Sequence, residues 1–142
     1  MPFDGNIWPP DEIKNNITTP IRLKVEKGII KEISGGMEAD ILRRLAGFKD
    51  PNMYRIAHIC YRYHPMARVT ADISEVERVW GCFQIGWGTQ GPLLRPELGG
   101  KYGWRAASHD DGIILKASVY LDGELIQKEG KFIHPELVKT VK

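Results

Sequence analysis

Two stretches of this chain alternate apolar with polar side chains and then break at a residue pair ending in glycine, which confines it to a fold built from antiparallel hairpins. Ile21, Leu23 and Val25 alternate with Arg22, Lys24 and Glu26 up to Lys27-Gly28, and Ile29-Ile30-Lys31-Glu32-Ile33 returns. Ile113, Leu115, Ala117, Val119 and Leu121 repeat the alternation up to Asp122-Gly123, after which Glu124 to Gln127 returns. A period of two puts the apolar residues on one face of a strand, and an Asp-Gly pair tolerates the positive φ angles of a two-residue turn. Tyr54 to Tyr63 reads as a buried strand. Val79 to Ile85 reads as another, entering a glycine-rich loop over Gly86-Trp87-Gly88-Thr89-Gln90-Gly91. The helical exception is Met37 to about Phe48, where Ile41, Leu42, Leu45 and Phe48 follow a 3.6-residue spacing that ends near Gly47 and before Pro51. The expected class is α+β: a strand-dominated mixed sheet or barrel-like domain with one clear amphipathic helix.

The remaining segments are aperiodic. Residues 1 to 20 carry Pro2, Pro9, Pro10 and Pro20 and read as an irregular arm with a short strand near Ile7-Trp8; residues 91 to 108 read as a long loop. No repeat or linker divides the chain, and 142 residues suit one domain, 1–142. A net charge of +2 lacks the basic excess of a nucleic-acid binder. No apolar run approaches the roughly 20 residues that span a bilayer, so neither nucleic acid nor membrane is an expected partner and the cytoplasm is the expected compartment. Cys60 and Cys82 lack paired spacing and sit in apolar stretches, which suggests buried free thiols.

The chemistry concentrates in His58, His109 and Asp111. In a strand, His109 and Asp111 lie two residues apart and share a face, and His58 would join them from a distant strand. Two imidazoles and one carboxylate are the set that leaves half of an octahedral iron(II) open. Each residue also has a plainer reading: His58 as a core histidine, and Ser108-His109-Asp110-Asp111 as a solvated turn. Asp110 should point away from the other two, toward solvent or in support of the ligands. His64, before Pro65, reads as an acid or base near the metal or as an exposed turn residue. Arg68 and Arg105 read as anion-binding groups or as surface charge, and Trp87 as a stacking wall or as core. His134 reads as inert.

Several spaced motifs resemble the C-terminal domain shared by the 2,5-dihydroxypyridine 5,6-dioxygenases and the thermophilic-type metal aminopeptidases. They are Ile-Ser-Gly-Gly-Met-Glu-Ala at 33–39, Ala-His-Ile at 57–59 followed by His-Pro-Met-Ala-Arg at 64–68, Leu-Gly-Gly-Lys at 98–101, Ser-His-Asp-Asp at 108–111 and Tyr-Leu-Asp-Gly at 120–123. The peptidase pattern has glutamate where this chain has His58 and histidine where it has Gln84, so the resemblance favours the dioxygenase branch. It implies one Fe2+ held by His58, His109 and Asp111; His64 and Arg105 stand beside it as candidate catalytic residues, and Trp87, Gly86 and Arg68 as candidate substrate contacts. Where the dioxygenases resemble this chain they carry a serine at the position of Gly86. The implied reaction is ring cleavage of 2,5-dihydroxypyridine by dioxygen to N-formylmaleamic acid, a step of nicotinic acid breakdown. A metal-dependent aminopeptidase and a non-catalytic domain of the same fold are the alternatives. Family members carry an N-terminal domain with no counterpart here, which implies a fragment, a stand-alone domain that needs a partner, or a reduced enzyme; a homo-oligomer or a partner chain supplying the missing half is expected.

Overall fold

The computed structural model describes residues 18–46, 50–70, 72–90 and 104–139, together with two short strands near the N-terminus. The fold is mixed α+β and strand-dominated, in three antiparallel sheets. The first pairs β1 (Pro2–Phe3), β3 (Ile21–Glu26) and β4 (Ile29–Ser34) in the order β1-β3-β4. The second runs β2-β7-β6-β5, from Ile7–Trp8, His109–Ile114, Phe83–Gly88 and Ile56–Tyr61. The third runs β10-β9-β8, from Lys131–Phe132, Glu124–Lys128 and Val119–Leu121. The one substantial helix is α1 (Met37–Ala46); α2 (Ile73–Val76) and α3 (Pro135–Lys139) are single turns.

Both hairpins read from the sequence are present. Lys27-Gly28 and Asp122-Gly123 each take two positive φ angles, 51° and 73° in the first and 50° and 88° in the second, the geometry that matches strand twist across a two-residue loop. Helix α1 begins just after Gly35-Gly36, carries Glu38 and Asp40 in its first turn and Arg43 and Arg44 in its last, and so complements its own dipole. The expected extension of the helix to Phe48, and the loop from 91 to 103, lie outside the described residues.

Three strand boundaries differ from the sequence reading. The run from Val79 does not become a strand until Phe83, because Gly81 takes φ +79° and breaks the extended backbone. The Gly86-Trp87-Gly88 segment is strand, not loop, and lies in the middle of the second sheet. The alternation from Ile113 to Leu121 is two strands: β7 ends at Ile114, a turn follows at Leu115-Lys116, and β8 belongs to a different sheet. There the Ala117 carbonyl accepts from Gly130 N–H and the Ser118 hydroxyl from Glu129 N–H, drawing the chain away from β6. Strand β5 is an edge strand, not a buried one, and Ile59 is 58% exposed.

The main core fills the space between the β3–β4 hairpin, α1 and one face of the second sheet, with Ile21, Leu23, Ile33, Leu42, Ile85 and Trp87 among its members. Among the described residues, the opposite face of that sheet carries a smaller apolar cluster of Val76, Cys82 and Ile113 at one end. Among the described residues, no helix is long and apolar enough to cross a membrane.

Candidate metal centre

The register of the second sheet assembles the site. His58 on β5 pairs with Gly86 on β6, Gly86 pairs with Asp111 on β7, and Gly88 pairs with His109. Residues in register across a sheet share a face, and so do residues two apart along a strand, so His58, Gly86, Asp111 and His109 all face away from the main core. Gly86 is the floor. A Cβ placed there would lie 2.4 Å from His58 Nε2 and 2.7 Å from Cε1, so any side chain would occupy the space that the imidazole now fills.

The three side chains converge on one point. His58 Nε2 lies 3.2 Å from His109 Nε2 and 3.2 Å from Asp111 Oδ1; His109 Nε2 lies 3.4 Å from Asp111 Oδ2. Donors about 2.1 Å from a common cation are separated by roughly 3.0 Å in a facial octahedral set and roughly 3.4 Å in a tetrahedral one. The separation of the two imidazole nitrogens falls between these edges, each nitrogen has one Asp111 oxygen at a comparable distance, and one ligand atom from each of the three residues lies within 4.8 Å of the others. Among the described residues these three form a group able to hold a metal ion. Asp111 Oδ1 is also buried and makes no hydrogen bond of good geometry, although His58 Nε2 lies 3.2 Å from it. A buried carboxylate with one oxygen close to each of two imidazole nitrogens is a setting that a cation stabilises.

The electrostatics agree with this reading. Burial disfavours ionisation of Asp111, but the neighbouring His109 and His58 outweigh it and bring its pKa down to about 2. The Asp111 carboxylate raises His109 above the ordinary histidine value; burial opposes this and the bond to Thr89 adds to it. His109 Nδ1 lies 2.5 Å from the Thr89 carbonyl, which can only accept, so Nδ1 carries the proton and Nε2 turns its lone pair to the site. On His58 the corresponding neighbour is Cys60 Sγ, 3.7 Å from Nδ1. Cys60 is therefore half-buried beside an imidazole, where the sequence suggested an apolar setting.

Asp110 does point the other way, as strand alternation requires, but not into solvent. It is 4% exposed and accepts from the Ser108 hydroxyl at 2.8 Å. Burial pushes its pKa up to about 6, against the Ser108 hydrogen bond and the charge of His109.

The other residues singled out in the sequence are dispersed. Trp87 is fully buried and belongs to the main core, on the face opposite the triad, which corrects its reading as a stacking wall: a side chain one residue from Gly86 must project to the other side of the sheet. His64 is exposed, beyond the far end of β5, and six residues of extended chain carry it up to about 20 Å from His58. Its Nδ1 accepts from Met66 N–H, and Arg68 stands exposed in the same region, its own N–H bonded to Glu75. Arg105 is exposed four residues before His109, with its carbonyl accepting from Asn52 Nδ2 at 2.8 Å. Gln84, two residues from Gly86 on the same face, is engaged by others: Arg62 Nε donates to its Oε1 at 3.0 Å, and its Nε2 donates to Glu77 at 3.2 Å.

Two contributors escaped the sequence reading. Cys60 was legible in principle, since His58-x-Cys60 has the same two-residue period that linked His109 to Asp111. Thr89 acts through its backbone carbonyl, for which the identity of the residue gives no signal.

The model of the family described as 2,5-dihydroxypyridine 5,6-dioxygenase matches residues 4–134. The chain is 31% identical over 133 residues to a 2,5-dihydroxypyridine 5,6-dioxygenase of Pseudomonas putida, an alignment covering 87% of this chain and 36% of that protein. It superimposes on the solved structure of the 2,5-dihydroxypyridine dioxygenase from Pseudomonas putida with a TM-score of 0.71 and 30% sequence identity, covering 94% of this chain and 39% of that one. The chain thus spans little more than a third of the length of the relative it matches.

Proposed function

The chain belongs to the 2,5-dihydroxypyridine 5,6-dioxygenase family, and on that premise we propose that it provides the iron(II) site of a dioxygenase that opens a dihydroxypyridine ring. The observation that carries the proposal is the co-facial group of His58, His109 and Asp111, with the two imidazole nitrogens 3.2 Å apart, one Asp111 oxygen 3.2 Å from the first and the other 3.4 Å from the second. Two neutral imidazoles and one carboxylate suit a non-haem iron(II) oxygenase. When bound, iron(II) supplies the one-electron chemistry through which dioxygen reacts with an electron-rich ring.

The side chains have distinct tasks. Asp111, ionised down to about pH 2, contributes the single negative charge of the ligand set. A divalent ion held by Asp111 and two neutral histidines keeps one unit of positive charge, which an ionised ring hydroxyl can neutralise. The Thr89 carbonyl keeps His109 in the ligating tautomer and orients its ring. Gly86 keeps the floor open beneath His58.

Around the triad the proposal extends to nicotinate breakdown as the metabolic setting, the cytoplasm as compartment, and assembly with a second copy or a partner chain. The decisive experiment is anaerobic titration with iron(II) followed by oxygen uptake on addition of 2,5-dihydroxypyridine. One iron per chain and ring-dependent uptake are expected. Two zinc or cobalt ions per chain would favour a peptidase, and a folded chain that takes up no metal would favour a non-catalytic domain.

A further inference from the structure

The two imidazoles of the triad are held from behind by different atoms. His109 Nδ1 faces the Thr89 carbonyl at 2.5 Å. His58 Nδ1 faces Cys60 Sγ at 3.7 Å, and among the described residues that sulfur is the one hydrogen-bonding partner of the nitrogen. Strand geometry makes the contact, since His58 and Cys60 lie two apart on β5 and share a face. Cys60 is a free thiol and pairs in register with Gln84, which is buried and bonded to Arg62 and Glu77. The sulfur thus stands between the His58 ring and a polar network whose members hold one another.

What this contact adds follows from the freedom of the ring. The His58 imidazole is stacked on that of His109, with centroids 5.1 Å apart, and Gly86 beneath it has no side chain. A half-turn about the Cβ–Cγ bond of His58 preserves the ring plane, the stacking and the glycine floor, yet it exchanges Nε2 with Cε1 and Nδ1 with Cδ2. Neither the stacking nor the floor therefore selects the ligating orientation. On the side away from Asp111, the contact that tells the two orientations apart is the one between Nδ1 and sulfur. A histidine that ligates through Nε2 carries its proton on Nδ1, and a thiol sulfur can accept that proton in a long, weak hydrogen bond.

We propose that Cys60 is the positioning residue of the His58 ligand: its sulfur accepts the Nδ1 proton of the imidazole and so holds Nε2, rather than Cε1, toward His109 and Asp111. The inference rests on the proposed function and states how that site keeps its edge-strand ligand in place. Cys60 acts through His58 alone. Sulfur is a weaker acceptor than the Thr89 carbonyl, so His58 is the more loosely held of the two histidines.

The test measures anaerobic iron(II) affinity for wild type, Cys60→Ala and Cys60→Asn, with circular dichroism to check folding. Alanine removes the acceptor, whereas asparagine supplies an amide oxygen and adds no charge that could attract the cation by itself. Cys60→Ala is expected to bind iron(II) about tenfold more weakly, the lower end of what such a partner contributes, and Cys60→Asn to stay within about threefold of wild type. A second readout is the His58 Nδ1–H resonance of the chain loaded with zinc, a diamagnetic probe: a hydrogen-bonded ring proton exchanges slowly with water, so wild type and Cys60→Asn should show it and Cys60→Ala should not. Wild-type affinity in Cys60→Ala overturns the inference. Equal losses in both variants overturn it too, because they report lost packing and not a lost acceptor. Should both variants misfold, the wild-type spectrum decides, and a His109 ring proton seen without that of His58 refutes the role of the sulfur. Wild type that takes up no metal overturns the proposed function and this inference together.

Discussion

Asp110 and Asp111 are adjacent in sequence and opposite in chemistry, because strand alternation buries one beneath the sheet and aims the other at two imidazoles. Asp111→Asn is expected to weaken iron(II) binding by at least about 100-fold, and Asp110→Asn by less than about tenfold, as judged by anaerobic titration. Equal losses would place both side chains on one face. The same pair sets the pH response of the metal-free chain. Asp110 has a folded pKa of about 6 against an ordinary 3.8, so the native state holds the proton more tightly and stability falls as pH rises between those values. Two pKa units correspond to on the order of 3 kcal/mol. His109, raised above 6.5, adds stability that is present below that pH and lost as pH climbs through its folded value. Asp111 acts in the other sense, its contribution being present above 3.8 and lost as pH drops toward 2. Thermal melts of the metal-free chain should therefore give a higher Tm near pH 4.5 than near pH 6, and Asp110→Asn should flatten that difference; an unchanged slope in the variant would refute the assignment. The ligand pattern was legible in the sequence because a period of two is a strong constraint. The burial of Asp110 was not, since alternation says which way a side chain points and not what covers it.

Strand β6 shows what a single element contributes when it carries no ligand itself. It lies between β5 and β7 and presents glycine at the two positions facing the triad, so that side chains from both neighbours can close over it. Gly86→Ala is expected to leave the fold intact, because the atoms it meets belong to a rotatable imidazole, and to cost about 10–100-fold in metal affinity by pushing His58 out of the triangle. Circular dichroism with metal titration checks this, and unchanged affinity would show that the ring has another position from which to ligate. Gly88 differs: φ is +86° and a Cβ would lie 2.3 Å from the Ser108 carbonyl, so substitution there strains the backbone itself. The hairpins and α1 were legible because their turn residues coincide with breaks in hydrophobic period. The Gly86-Trp87-Gly88 segment was not, because glycines that make room for a neighbouring side chain look in sequence like glycines that make a turn.

At the level of the molecule, apolar surface remains exposed. Tyr63, Tyr120, Leu121, Ile133 and Val138 are exposed, and Tyr63 and Leu121 line a groove of about 800 Å³ between the end of β5, the β8–β9 hairpin and α3. Exposed apolar groups of this extent favour self-association or a partner. Light scattering at micromolar concentration should show a species larger than the 16.1 kDa monomer, and a clean monomer that binds no apolar dye would count against assembly. Local periods in the sequence disclosed the domain class and the shared face of His109 and Asp111, whereas the placing of His58 beside them and the division into three sheets depend on long-range pairing that local patterns do not encode. That pairing also makes the triad a kinetic device. His58 and His109 are 51 residues apart along the chain and meet only after β5 and β7 have both docked on β6, so an ion bound to both acts as a removable cross-link that closes a long loop. The loaded chain should then unfold more slowly in denaturant than the metal-free one, and adding a chelator midway should restore the faster rate without any change of sequence.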